Sequence, residues 1–336
     1  MKILVGVPTY NNFRFGYSIR RTLEALANQS FRDFRVLIVY KPSPGDKTLD
    51  VVDEFGDKLD IEVKIQNEGF VEEAMNMIFE VSKDYDITLT TDDDAIPTKT
   101  WIKEHLTIHK QHENIGIFVG MVNNKFIEKW NDNLLKIEPL IGYYKPPLLS
   151  ELRRYCQFIN DMGLMTCNSN IANKIIKNNE SMYYNGPIGV NMSFKSRFIT
   201  DFKLPGTTIH GLHYEQLLML YYITRHKMHS VVFKGANVEH IERESLSRTR
   251  TQKTLFMFLI EHTLLPYSIT QLGIRINLKK LKTYYGLIKT YLKILNRFRF
   301  MAYETGLRLA IEAIENNYEP KEVRNRLIKL NETLNL

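Results

Sequence analysis

Ile87-Thr88-Leu89-Thr90-Thr91-Asp92-Asp93-Asp94-Ala95-Ile96-Pro97 joins a β-branched run to three consecutive carboxylates and a following proline. Ile and Thr favour a pleated, extended backbone, so the run predicts a strand over 87–91 with the aspartates at its carboxyl end. Carboxylates this close repel one another unless a cation or a hydrogen-bond network compensates them, and the cluster reads as a site for a hard divalent ion. The plain alternative is an acidic turn capping a helix that begins near Thr98 or Lys99, because Asp favours helix N-termini.

On either side the pattern repeats. Residues 3–7, 35–40, 61–65 and 115–121 read as strands, and 18–29, 49–55, 71–83 and 100–112 as helices. Strand and helix in turn imply βαβ units, hence an α/β fold with a mostly parallel sheet flanked by helices. In such sheets ligands bind beyond the carboxyl ends of the strands. Residues 8–12, the loop after Tyr40 and the aspartate trio all fall at those ends. From 123 to 185 the regularity weakens into an insertion, with helices expected over 148–158 and 169–177. A helix over 214–227 and a strand over 229–233 follow, then Asn237-Val238-Glu239-His240 and a polar stretch, 242–250. Everything beyond Thr254 reads as helical. The expected organisation is one α/β domain over 1–250, divided into 1–122, the insertion (123–185) and 186–250, and then a basic helical region over 251–336.

Composition excludes some classes. With 44% hydrophobic and 25% charged residues, the 336-residue chain is neither disordered nor collagen-like. No apolar run reaches the roughly 18 residues of a membrane-spanning helix. The opening, Met1-Lys2-Ile3-Leu4-Val5-Gly6-Val7-Pro8, reads as a first strand rather than a secretory signal. Cys156 and Cys167 match no metal or redox spacing and read as buried thiols, consistent with a cytoplasmic location. Charge is uneven: residues 251–336 hold 14 Lys or Arg and 7 Glu of the chain's 45 and 38, so the first 250 residues balance at 31 each. No acid occurs between Glu261 and Glu304. Lys279, Lys282, Lys289, Lys293 and Arg297 lie along one helical face, opposite Leu281, Tyr284, Tyr285, Ile288, Tyr291, Leu292, Leu295 and Phe298. Such a helix suits the anionic surface of a membrane on its cytoplasmic face, or packs its apolar side on the protein and leaves the lysines solvated.

The order of motifs over about 2–240 resembles that of the family 2 glycosyltransferases, enzymes with the nucleotide-diphospho-sugar-binding fold called GT-A. Val5-Gly6-Val7-Pro8-Thr9-Tyr10-Asn11 resembles the strand and turn that flank the nucleotide base. Asn67, Gly69, Ala74 and Asn76 resemble the pattern leading into the helix before the metal strand. Asp92-Asp93-Asp94-Ala95-Ile96-Pro97 resembles the aspartate motif, and Glu215 and His240 stand where such enzymes keep an acidic catalytic motif and a metal-binding histidine.

The resemblance implies a metal-dependent, inverting transferase that moves a sugar from a nucleotide-diphospho-sugar to a glycan or lipid-linked acceptor. UDP-sugar is the default donor, with GDP- and dTDP-sugars as the alternatives. It assigns Mn2+ or Mg2+ to Asp92, Asp94 and His240, and donor contacts to Pro8, Thr9, Tyr10, Asn11, Asn67, Gly69, Asp92 and Asp93. Gly189 and Asn191 would meet the sugars, and Arg243, Arg248 and Arg250 would close over the diphosphate or remain a solvated loop. Glu215 is the candidate base, or a helix cap. Two departures stand out: Gln216 follows Glu215 where the family usually has aspartate, and Lys41 follows the second strand where the family often has an aspartate that reads uracil. A competing reading from another class is a degenerate, non-catalytic transferase that binds membrane or nucleic acid through its basic tail, with Tyr and Phe interleaved among Lys and Arg as in a stacking groove.

Overall fold

A computed structural model of the chain describes residues 1–126, 146–241, 251–295 and 298–334. The chain forms two compact units: Met1–Asn124 with Gly186–Arg250, and Lys125–Asn185 with Thr251–Leu336. In chain order the strands are β1 (Ile3–Tyr10), β2 (Arg35–Lys41), β3 (Asp60–Ile65), β4 (Ile87–Thr90), β5 (Ala95–Pro97), β6 (Ile115–Val119), β7 (Gln157–Ile159), β8 (Met165–Cys167), β9 (Met182–Tyr184), β10 (Met192–Lys195), β11 (His229–Phe233) and β12 (Val238–His240).

The first unit is built on a sheet whose strands run β3-β2-β1-β4-β10-β6-β11. The β1–β2, β1–β4, β2–β3 and β6–β11 pairs are parallel, and β10 lies antiparallel between β4 and β6. Central strands covered on both faces carry near-continuous apolar runs. Accordingly Ile3, Leu4, Val5 and Val7 of β1, Val36 to Tyr40 of β2 and the apolar residues of β6 are all buried. Helices α1 (Ile19–Ala27), α2 (Thr48–Asp53), α3 (Val71–Ser82) and α4 (Trp101–Gln111) connect these strands, close to their expected bounds. Their spacing explains the packing: Ile19, Leu23 and Leu26 bury one stripe of α1. Glu73 accepts the Phe70 N–H at 2.7 Å and so closes the first turn of α3. A separate two-stranded ribbon pairs β5 with β12, a strand of three residues that the sequence pattern does not announce.

In the second unit, α5 (Ser169–Asn178) forms as expected, whereas the helix expected over 148–158 does not. Only a short 3-10 turn, Ser150–Arg154, is present, and β7 then pairs with β8. The Cys156 N–H donates to Tyr184 at 2.9 Å, so the backbone bonds sideways into extended neighbours rather than up a helix. Helices α7 (Gln252–His262), α8 (Leu265–Gln271), α9 (Leu278–Leu295), α10 (Phe298–Glu315) and α11 (Pro320–Thr333) follow, with α6 (Tyr214–His226) lying earlier, in the first unit. Gly306 lets α10 approach α7 closely, since a Cβ there would stand 2.5 Å from the Ile260 carbonyl. Among the described residues no helix is long and apolar enough to cross a membrane.

Candidate active site

The β5–β12 ribbon brings the acidic trio to His240. Its register sets His240 opposite Ala95, the residue after Asp94, and the Ile241 N–H donates to the Asp94 carbonyl at 2.9 Å. The His240 Nε2 then lies 2.9 Å from Asp94 Oδ1 and 3.5 Å from Asp92 Oδ2. One ligand atom from each of Asp92, Asp94 and His240 falls within 4.8 Å of the others. Asp94 is buried, with a side chain 3% exposed, while Asp92 at 38% faces the solvent. Two carboxylate oxygens and an imidazole nitrogen form a hard donor set that fits Mg2+ or Mn2+, and three protein ligands leave coordination positions for a substrate's oxygens. The imidazole tilts that fit toward Mn2+.

Asp93 does a different job. Its Oδ2 accepts the Thr9 hydroxyl and the Asn12 amide, each at 2.6 Å, and its carbonyl accepts the Ser18 hydroxyl at 3.0 Å. It straps the aspartate loop to the end of β1 and the start of α1. The side chains of Asp93 and Thr9, two residues expected on the donor side, are buried and bonded to each other. Asn12 and Ser18 were not singled out in the sequence, because partners 75 to 81 positions away leave no local pattern.

The remaining donor candidates surround the carboxyl ends of β1 and β2. Tyr10 is 39% exposed, and Asn11 takes the left-handed backbone at φ 55°. The buried Oδ1 of Asn11 and Oγ1 of Thr91, the residue before Asp92, have no hydrogen-bond partner among the described residues. Pro8 pairs with Val39 in the β1–β2 ladder, and Asn67 is exposed beyond β3. Lys41, opposite Tyr10 in the ladder, donates to the carbonyl of Gly69 and lies 5.2 Å from the Tyr10 ring and 5.0 Å from that of Phe70. An ammonium held between two aromatic rings thus stands at the second-strand departure. Asn76 clasps Leu204 by two backbone bonds of 3.1 and 2.8 Å, a structural role.

Glu215 sits in the first turn of α6, where the helix N-terminus faces an incoming negative charge. Its side chain keeps a partly exposed edge, but its carboxylate is crowded by protein. Burial pushes its pKa from 4.5 up to about 7, the negative charge of Asp92 adds to the rise, and the Gly189 N–H and Tyr214 hydroxyl oppose it. The Gly189 N–H donates to Glu215 Oε1 at 3.3 Å. A Cβ on Gly189 would stand 1.5 Å from the Tyr214 hydroxyl, so only glycine fits. Tyr214 is a third residue without a local signal in the sequence; buried beside Glu215, its phenol is held well above its ordinary pKa by burial and then by the Glu215 and Asp92 charges.

Asn191 is corrected as a sugar-contacting side chain. It is fully buried: its Nδ2 donates to Met121 and Ala236 carbonyls at 2.7 and 2.6 Å, and its Oδ1 is taken by Trp101 Nε1 at 2.8 Å and His105 Nε2 at 3.0 Å. Arg243, Arg248 and Arg250 lie outside the described residues, as does Arg297; the backbone of Lys293 is described but its side chain is not.

A carboxylate pair with a histidine thus stands at the carboxyl end of a largely parallel sheet, near enough to Glu215 for the Asp92 charge to act on it. Residues 4–178, more than half of the chain, match the family model of glycosyl transferase family 2, and the chain belongs to that family. It is a glycosyltransferase with the GT-A fold. The chain is similar to TarS residues 1–349 of S. aureus, solved with UDP-GlcNAc (TM-score 0.50, 15% identity, 94% of this chain and 92% of that one covered). It is also similar to the mannosyltransferase PcManGT of Pyrobaculum calidifontis, solved with GDP-Man and Mn2+ (TM-score 0.51, 14% identity, 97% and 84% covered). At these identities the likeness establishes the fold. A comparison with curated protein sequences finds no match.

Proposed function

We propose that the chain transfers a sugar from a nucleotide-diphospho-sugar to a glycan or lipid-linked acceptor, inverting the anomeric centre, with a divalent cation held by Asp92, Asp94 and His240. One observation carries the reading: the Asp92, Asp94 and His240 ligand atoms converge within 4.8 Å, and Asp92 is close enough to Glu215 for its charge to raise that carboxyl's pKa. A bound cation supplies charge for the departing diphosphate without a proton. Mn2+ is favoured over Mg2+ by the imidazole, and the PcManGT complex with GDP-Man and Mn2+ agrees.

Glu215 is the general base. With a pKa of about 7 it is substantially ionised at neutral pH and basic enough to accept a proton. The acceptor oxygen forms its bond to the anomeric carbon as the bond from that carbon to the diphosphate oxygen breaks. The acceptor's hydroxyl proton passes to Glu215, and the nucleoside diphosphate leaves. A single in-line displacement of this kind inverts configuration. Tyr10, Asn11, Asn67 and Gly69 line the donor side, where Tyr10 presents an exposed ring for a nucleobase and uridine remains the default base. The Gly189 backbone lies against Glu215 where donor sugar and acceptor meet, and Arg243, Arg248 and Arg250 are assigned to the diphosphate.

A lipid-linked acceptor and a peripheral place on the cytoplasmic membrane face fit the basic helix α9, in a reduced form. Leu281 and Ile288 are fully buried, so these two residues of the apolar face pack within the protein and are not offered to acyl chains. Lys282 pairs with Glu315 and Lys280 with Asp161, while Lys279 and Lys289 are exposed. Membrane contact is accordingly electrostatic.

A thermal-shift screen of UDP-, GDP- and dTDP-sugars, with and without Mn2+, tests the reading, because a ligand that binds only the folded state raises its apparent stability. A Mn2+-dependent shift that vanishes in Asp94→Ala is expected. Absence of any shift, or an unchanged response in Asp94→Ala, removes the cation assignment, and salt-sensitive nucleic-acid binding in its place favours the degenerate-transferase reading.

A further inference from the structure

The loop that launches β12 is gripped from two sides. Ala236 is fully buried and has a backbone φ of 46°, in the left-handed region that residues with side chains rarely adopt. Its N–H donates to Oε2 of Glu104 on α4, and its carbonyl accepts from Asn191 Nδ2 at 2.6 Å. The other Glu104 oxygen takes the Thr100 hydroxyl of the same helix start. Asn191 is itself immobilised by Trp101 and His105, and with its second amide proton it holds the Met121 carbonyl. Helix α4 and the turn before β10 therefore meet on one residue, Ala236, holding the peptides on either side of its Cα.

A chain of backbone bonds runs from that residue to His240. The Val238 N–H donates to the Met121 carbonyl at 2.9 Å, the Asn123 N–H donates to the Val238 carbonyl at 2.8 Å, and the Asn123 side chain accepts the His240 N–H at 2.8 Å. The Thr98 N–H takes the Asn237 carbonyl at 3.0 Å. All these bonds presuppose that the chain leaves Ala236 in its left-handed turn. A slip of one residue in a strand sends each side chain to the opposite face. In β12 such a slip would replace His240 by Glu239 beside Asp92 and Asp94.

We propose that Glu104 and Asn191 are positioning residues for the cation site: by clamping Ala236 in the left-handed conformation they set the register of β12 on β5 and aim His240 at Asp92 and Asp94. The proposal rests on the cation reading given above. Neither residue is a ligand. Their action resembles that of outer partners of metal ligands, whose removal typically costs about 10–100-fold in metal affinity.

The test measures Mn2+ affinity of the full chain without nucleotide, by the electron paramagnetic resonance of free Mn2+, together with hydrogen exchange of residues 238–241. Glu104→Ala is expected to weaken Mn2+ binding at least about tenfold and to speed exchange in that segment. The double variant Glu104→Ala/Ala236→Gly is expected to recover most of the affinity, because glycine takes the left-handed turn without a clamp. A purely structural role for Glu104 would lower the melting temperature and leave the affinity of the folded protein unchanged. Where Glu104→Ala does not fold, Glu104→Met serves: it keeps the length of the side chain but offers no oxygen to the Ala236 N–H, so a loss in the same direction is expected. Wild-type affinity in either variant, while Asp94→Ala loses Mn2+, overturns the clamp and leaves the cation site standing. Failure of the wild type to bind Mn2+ defeats both.

Discussion

Replacing Glu215 by Gln should change how stability depends on pH. Burial raises the Glu215 pKa from 4.5 to about 7 in the folded chain. Below pH 4.5 both folded and unfolded chains carry the proton, and the group contributes no pH dependence. Between 4.5 and 7 the folded chain keeps a proton that the unfolded chain has released, so the folded state loses about 1.4 kcal/mol per pH unit as pH rises. Above 7 both states are ionised and the loss is complete, at about 3 kcal/mol. Gln keeps the shape and an acceptor for the Gly189 N–H but does not titrate. Urea unfolding of both proteins in EDTA, at half-unit steps from pH 4 to 8.5, should give curves that diverge through that window, with Glu215→Gln the more stable above pH 7. Curves that stay parallel would refute a carboxyl tuned by burial. The same ionisation gives an activity that rises with pH through about 7 in the wild type and is lost in Glu215→Gln.

Asp94→Ala and His240→Ala should each abolish the Mn2+-dependent part of activity, checked by initial rates against Mn2+ concentration, because each removes one of three ligands. Asp93→Ala should act on stability instead: it leaves the buried Thr9 hydroxyl without its acceptor and takes one of three acceptors from the Asn12 amide, and should cost about 1–3 kcal/mol in denaturant unfolding. Gly189→Ala drives a methyl into the Tyr214 hydroxyl; a cost of about 1–3 kcal/mol is expected, and because the displaced Tyr214 adjoins Glu215, kcat should fall with it. Vesicle flotation should show binding to anionic but not neutral lipid, weakened by Lys279→Glu/Lys289→Glu and by salt.

Much of the first unit was legible in the chain. The buried strands are continuous apolar runs and the helices between them have a single buried stripe, so period and composition suffice to predict β1 to β4, β6 and α1 to α4 within a few residues. The helix expected over 148–158 failed because helix-forming composition lost to cross-strand pairing between β7 and β8, a contact that local propensity does not encode. The ribbon strands β5 and β12 were too short, at three residues each, for any period to register.

For the site, the aspartate cluster was legible by itself, and the resemblance to the family's motif order joined Glu215 and His240 to Asp92, Asp93 and Asp94 as a set. It could not sort them. Three adjacent aspartates look alike in sequence, yet in the fold Asp93 turns inward to Thr9 and Asn12 while Asp92 and Asp94 turn to a histidine 146 positions later. Likewise Asn191 reads as a loop residue fit to touch a sugar, and only burial among Trp101, His105 and two carbonyls reveals it as internal. Residue type and spacing determine which chemistry a chain can offer, because they act locally. Which way each side chain faces, and what pKa it acquires, depends on neighbours that only the folded chain brings within a few ångströms.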